Sequence, residues 1–247
     1  AARDAAELVA IDSDPLPAVT DGVAALASGA PAVWPELCDD NLCFLFGLGD
    51  AAAVDAAFAR ATHVVALDFR VTRVSANPLE PRAAIGAWDA AEGRYTLWSG
   101  VQAPHKIRSE LAETVLRVPH HALRLVSPDM GGAFGMRGSP TQEHALVLWA
   151  ARRIGRPVKW VADRTESFLS DFHARDNIST VELALDGEGI FLGLRIRTVA
   201  GLGAYLAFNT PHSPTNNLGG LAGVYRTPAI RAEVRGAFTN AQPTAPY

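Results

Sequence analysis

Apolar positions recur along this chain at two spacings, and each spacing predicts its own kind of element. Short alternating or continuous apolar runs predict strands at residues 8–11, 63–71, 83–88, 94–98, 122–126, 158–161, 178–185, 190–199 and 231–239, with further strand character at 224–228. Residues 89–93 join two of these runs as a hairpin, and Asp186-Gly187-Glu188-Gly189 joins another two. Helical spacing marks residues 21–27, 51–61, 106–116 and 141–154. Asp50 is a natural N-cap for the alanine-rich helix 51–61, which reads as a thin helix packed close to a neighbour. For helix 141–154 the pattern gives Ser139 as N-cap, Pro140 at the first helical position and Gln142 in the capping box, with Gly155 and Pro157 as stop signals. Residues 30–49 hold no period and read as an extended connector, and residues 164–173 fit neither template. Hairpins alternate with single helices rather than with a regular βαβ rhythm, so the predicted class is α+β, mixed sheets with packed helices.

Between the strand at 122–126 and helix 141–154 lies Ser127-Pro128-Asp129-Met130-Gly131-Gly132-Ala133-Phe134-Gly135-Met136-Arg137-Gly138. A strand, a glycine loop and a helix start aim backbone N–H groups at whatever rests above the loop, which suits an anion or an electron-rich oxo or thiolate group. The run is neither a phosphate-binding P-loop, which needs Gly-Lys-Ser/Thr, nor a Gly-x-Gly-x-x-Gly dinucleotide fingerprint. Taken alone, it is equally a tight turn whose glycines serve the turn only.

Composition narrows the chemistry. With 247 residues, 49% apolar and 19% charged, the chain can build a substantial core. A formal net charge of −4 carries no basic excess and argues against a nucleic-acid partner. No apolar run reaches the length of a membrane span. Cys38 and Cys43 form a lone C-x4-C pair, better read as two reduced thiols of a cytoplasmic protein than as a zinc or disulfide motif. Both ends look cut, at Ala1 and at Tyr247, and the missing initiator methionine leaves a targeting signal open.

Five segments in order resemble the first molybdopterin-binding domain of the molybdenum hydroxylases, the family of xanthine dehydrogenase and aldehyde oxidase. They are Asn77-Pro78-Leu79-Glu80-Pro81-Arg82-Ala83-Ala84, Gln102-Ala103-Pro104-His105, the loop from Ser127 to Gly135, Gly155-Arg156-Pro157-Val158-Lys159-Trp160, and Phe238-Thr239-Asn240. The branch of the aerobic carbon monoxide dehydrogenase large subunit is the most similar. The resemblance implies that residues 1–29 end a hammerhead-type α/β domain, that 30–49 connect, and that 50–247 are the first molybdopterin-binding domain, incomplete at its C-terminus. It implies a molybdenum–molybdopterin cofactor, in plain or cytosine-dinucleotide form, bound by Gln102, Gly131, Gly132, Ala133, Phe134 and Gly135. Gln102 would donate to an oxo ligand of the metal, where a carboxylate would be repelled, and Phe134 with its flanking glycines would lie against the oxo and dithiolene atoms. No residue of the chain would ligate the metal directly.

The same resemblance places an arginine-containing loop, the second molybdopterin-binding half and the catalytic glutamate base beyond Tyr247, and iron–sulfur clusters and FAD on partner subunits. The whole enzyme would hydroxylate an aldehyde or heterocycle with water, or oxidise carbon monoxide. The alternative is a truncated, inert structural or assembly module. Two departures stand out: Ala133 replaces the family's third glycine, and Gly138 stands where xanthine dehydrogenase-like members carry a substrate-binding glutamate. From the residues alone, Gln102 reads first as a polar side chain capping the start of helix 106–116, and only the resemblance turns the reading to the cofactor.

Other polar residues read as structural. The seven histidines are scattered, and His120-His121, if on a strand, point to opposite faces. Glu80 is expected to pair with Arg82 or with backbone. Glu166 and Asp171 beside Arg164 read as a solvated charged face, and His173-Ala174-Arg175-Asp176 as a polar network at the edge of a site.

Overall fold

The structure, a computed structural model, describes residues 2–207 and 209–246, so the two terminal residues at which the chain looks cut lie outside the described residues. In chain order the elements are α1 (Ala2–Glu7), α2 (Gly22–Ala25), β1 (Leu42–Gly49), α3 (Ala51–Ala59), β2 (His63–Val71), β3 (Val74–Ser75), β4 (Ala83–Asp89), β5 (Arg94–Ser99) and α4 (Pro104–Glu110). They continue with β6 (Leu123–Val126), α5 (Gln142–Ile154), β7 (Val158–Val161), α6 (Arg164–Ser170), β8 (His173–Ala174), β9 (Asn177–Leu185), β10 (Phe191–Gly203), α7 (His212–Thr215) and β11 (Ile230–Phe238). The expected α+β class holds.

Two sheets carry the fold. The larger has five strands in the order β1-β11-β10-β9-β2, antiparallel except for β10 with β11. The smaller has four in the order β6-β5-β4-β7, with β5 and β6 parallel. The predicted hairpins are β4–β5 and β9–β10. The main core lies under the smaller sheet, where Leu97, Ile107, Leu111, Leu123 and Leu148 are fully buried; each such side chain contributes roughly 1.5–3 kcal/mol of transfer free energy. Helix α5 buries His144, Val147, Leu148 and Ala151, the i, i+3, i+4, i+7 stripe of an amphipathic helix. It lies so close to β4 that a Cβ on Gly86 would sit 2.5 Å from the Val147 carbonyl. Helix α3 is the thin helix its alanines suggest: a Cβ on Gly193 of β10 would stand 2.9 Å from that of Ala57.

Several expectations need correction. Residues 8–11 form no strand; Leu8, Val9 and Ile11 are exposed, and no described strand offers them a ladder. Eight residues of the expected connector 30–49 are β1, an edge strand along β11. Its glycines read as breakers, yet Gly49 serves the strand end, where φ is 95° and a Cβ would strike the Ile230 carbonyl, whereas a Cβ on Gly47 would meet only the flexible end of the Arg231 side chain. Helix 106–116 becomes α4 followed by a π-helical stretch, Leu111–Leu116. Residues 164–170, left unassigned, are α6, capped by Asp163 with Glu166 reaching back to its backbone. Residues 224–228 make no strand, although Tyr225 stacks on Phe191 at 5.2 Å between ring centroids.

The N-cap of α5 is Thr141, not Ser139, and His144 takes the capping-box place assigned to Gln142. The buried His144 ring accepts from the Thr141 N–H at Nδ1 (3.1 Å) and meets Ser99 Oγ at Nε2 (3.0 Å). Sequence rules look for Glu or Gln there; an unprotonated imidazole nitrogen does the same work.

Burial, with the nearby Arg82 charge, lowers the His144 pKa to about 4. The unfolded chain therefore binds this proton at higher pH than the folded one. The contribution of neutral His144 is complete above about pH 6.5 and declines as pH falls toward 4, by about 3 kcal/mol in total. Thermal unfolding followed from pH 7 to 4 should show this decline, and His144→Gln should flatten it.

Candidate functional site

The parallel pair β5 and β6 delivers two segments side by side, residues 100–102 after β5 and the glycine loop after β6. The loop grips the first segment at two points. Ser127 Oγ accepts from the Val101 N–H and donates to the Val101 carbonyl, both at 3.1 Å, and the Gln102 N–H donates to the Arg137 carbonyl at 3.0 Å. Gly100 allows the close approach: a Cβ there would lie 2.7 Å from Met130 Cγ and 2.8 Å from Arg137 Nη1.

Within the loop Gly132, Phe134 and Gly135 adopt positive φ (107°, 50° and 84°), whereas Ala133 stays out of that region. The alanine that replaces a glycine therefore fits its backbone without strain. Phe134 is 55% exposed. The N–H groups of Gly132, Ala133 and Gly135 donate to none of the described residues, and neither does the side-chain amide of the exposed Gln102. The N-cap of α4 is Ala103, without a side-chain bond, so Gln102 does not serve the helix start. These are four unused donors on two segments tied to one another, suited to electron-rich oxygen or sulfur atoms.

The turn 77–82 supports the loop from the other side. Glu80 and Gly131 exchange backbone and side-chain bonds: the Gly131 N–H donates to Glu80 Oε2 (2.7 Å) and the Glu80 N–H to the Gly131 carbonyl (3.2 Å). The expected backbone contact of Glu80 is thus present, at the Gly131 N–H, and its charged partner is Arg137, at 2.7 Å from Nη1 to Oε1, in place of Arg82. The bond from Arg137 outweighs partial burial and, with the Gly131 N–H, holds the Glu80 carboxyl below the usual range. Arg82 instead turns inward. It donates to Asp171 (2.6 Å) and Glu143 (2.6 Å), and its guanidinium lies over Trp160. Burial opposes ionisation of Glu143, but the bond and charge of Arg82 prevail and lower its pKa. Asp171 is 2% exposed, so it belongs to no solvated face. Arg164, also expected in solvent, donates to Asn77 Oδ1 and to the carbonyls of Pro78 and Leu79 at 2.6–2.8 Å.

Sequence reasoning therefore missed Ser127, Arg137 and Arg164 as builders of the site. A usable signal was the pair of prolines in 77–82: a segment that cannot join a ladder exposes carbonyls that must find donors elsewhere. The histidines do not converge. His120 pairs with Glu113 from a turn rather than a strand, and no group of three metal-ligating residues occurs among the described residues. Asp176 of the expected polar network holds Arg73 at 2.7 Å.

With this geometry in hand, comparison with known proteins is specific. Residues 36–247 match the family described as the molybdopterin cofactor-binding domain. The gamma subunit of the 6-hydroxypseudooxynicotine dehydrogenase complex of Paenarthrobacter nicotinovorans is 36% identical over all of this chain and 30% of its own length. The carbon monoxide dehydrogenase large chain of Hydrogenophaga pseudoflava is 35% identical over 98% of this chain and 32% of its own. Quinoline 2-oxidoreductase from Pseudomonas putida 86 superposes with a TM-score of 0.89 at 33% identity, over 100% of this chain and 31% of that one. The chain thus spans about a third or less of the length of these relatives.

The loop geometry predicts a contrast between two glycines. Gly135→Ala combines a positive φ with a Cβ 1.8 Å from the Pro246 carbonyl and should cost roughly 2 kcal/mol or more. Gly138→Ala meets open space and should stay within about 0.5 kcal/mol of the parent. Chemical denaturation of both variants checks this.

Proposed function

The chain belongs to the molybdopterin cofactor-binding domain family, and from that membership we propose that Gln102 and the loop of Gly131, Gly132, Ala133, Phe134 and Gly135 form the molybdenum-facing part of its cofactor site. The single observation that supports this most is the set of unused donors, the Gln102 amide and three loop N–H groups, on segments locked together by Ser127 and Arg137. The donors are neutral, as electron-rich cofactor atoms require. When bound, the cofactor supplies the redox chemistry of a water-dependent hydroxylation of an aldehyde or heterocycle, or of carbon monoxide oxidation. The part of this chain is to bind and orient it: Gln102 donates from one side, the loop amides from another, and Phe134 covers the loop with an apolar ring.

On this reading the chain is part of the molybdenum-binding subunit of an oxidoreductase, and residues 1–29 close a preceding hammerhead-type domain. The proton-abstracting glutamate and the second molybdopterin-binding half lie outside residues 1–247. Iron–sulfur and flavin subunits carry electrons away, in a cytoplasmic complex acting on a small molecule. The relatives' names as a gamma subunit and a large chain support partner subunits. So does β2, all nine residues of which are exposed, Val65, Leu67 and Phe69 included. The pterin is proposed in plain or cytosine-dinucleotide form. No helix among the described residues is long and apolar enough to cross a membrane.

The complete assembly, isolated from its source, should contain molybdenum and pterin in equal amounts with this polypeptide; absence of both would sink the reading. In that assembly Gln102→Ala should lower turnover roughly ten- to a hundredfold while the melting temperature holds. Unchanged turnover would remove Gln102 from the site.

A further inference from the structure

We infer that Arg137 is a positioning residue, which sets the spacing between Gln102 and the glycine loop and so the shape of the cofactor site; this rests on the function proposed above. Its side chain is 2% exposed, although it lies only two residues from the exposed loop. One end of the residue, its carbonyl, fixes the Gln102 N–H. The other end, the guanidinium, donates through Nη1 to Glu80 Oε1 and through Nη2 to the carbonyls of Glu80 (2.5 Å) and Pro81 (3.3 Å). Glu80 in turn fixes the N–H of Gly131, where the glycine run begins. Every contact that relates Gln102 to Gly131 through Glu80 therefore passes through this one residue.

The chemistry of the side chain supports the assignment. A planar fork can serve a carboxylate and two carbonyls at once, and an ammonium on a flexible stem cannot hold that geometry. Arg137 also carries a cost. Its Nε–H is buried without a hydrogen-bond partner, a desolvation penalty that an apolar side chain of similar volume would not incur. Stability alone does not call for an arginine here; fixed placement of two loops does.

The test uses the complete assembly, with Arg137→Lys as the first variant. Assembly, melting temperature and pterin content should change little, because the charge beside Glu80 remains. Turnover should fall roughly tenfold or more at nearly unchanged KM. The electron paramagnetic resonance signal of the partly reduced metal should broaden or split, because the donors around it are no longer held in one arrangement. In the Arg137→Lys/Gln102→Ala double variant, turnover should be no lower than in the worse single variant, since Arg137 acts through Gln102 and the loop.

Wild-type turnover and an unchanged resonance signal in Arg137→Lys would overturn the inference, as would losses that multiply in the double variant. Should Arg137→Lys fail to assemble, Glu80→Gln serves instead. It keeps an acceptor for Gly131 and removes the charge that anchors the guanidinium, and it should shift the same signal in the same direction; no shift would overturn the inference. A wild-type assembly without molybdenum would defeat the cofactor reading, whereas a loaded wild type with unaltered variants would defeat only the role of Arg137.

Discussion

The carbonyls of Pro78, Leu79, Glu80 and Pro81 accept from guanidinium groups that arrive from two distant parts of the chain, Arg164 at the start of α6 and Arg137 at the end of the glycine loop. Two prolines keep this turn out of any sheet ladder, so its backbone has to be satisfied by side chains. A third guanidinium, that of Arg82, leaves the turn in the opposite direction and locks it to α5 and α6 through Glu143, Asp171 and Ser170. The glycine loop can hold strained dihedrals because this frame over-determines its surroundings.

The frame is polar and largely buried, which makes it unforgiving. Arg82 and Asp171 are 6% and 2% exposed. Removing Arg82 leaves the buried Asp171 without its cation, at roughly 3–5 kcal/mol. His144 adds a neutral element to the same region, kept unprotonated by its burial and by the charge of Arg82. The smaller sheet, α5 and the turn thus share one electrostatic arrangement, and the donors of Gln102 and the loop are presented at its edge. On the proposed reading, stability and cofactor placement draw on the same residues.

The larger sheet has a different character. Its centre is closed, with Ala200, Leu202 and Val234 packed against Leu218 of the connection between β10 and β11. Its edge strand β2 is open along all nine residues, and so is most of β1. The chain spans about a third of the length of the relatives it matches, and exposed apolar edges of this kind are suited to contact with further protein surface.

The sequence by itself determined the α+β class, both hairpins, the cap at Asp50, the stop at Gly155, and the glycine loop between a strand and a helix. Each of these is written in local spacing or in one residue's backbone preference. It also marked Gln102 and the loop as candidates, through segments whose order is specific. Only the tertiary structure decided what holds them. Arg137 and Glu80 are 57 residues apart, and Arg82 and Asp171 are 89 apart. A charged residue carries no local sign of which distant carboxylate or carbonyl it will meet, so the sequence offers Glu80 its neighbour Arg82 or a backbone group, and only the backbone contact forms, while Arg164 reads as solvated. The same limit hid β1, because a strand that carries glycines is recognisable only once its ladder with β11 is seen. Local propensity is a property of a segment, whereas pairing between distant charges exists only after the chain has folded around them.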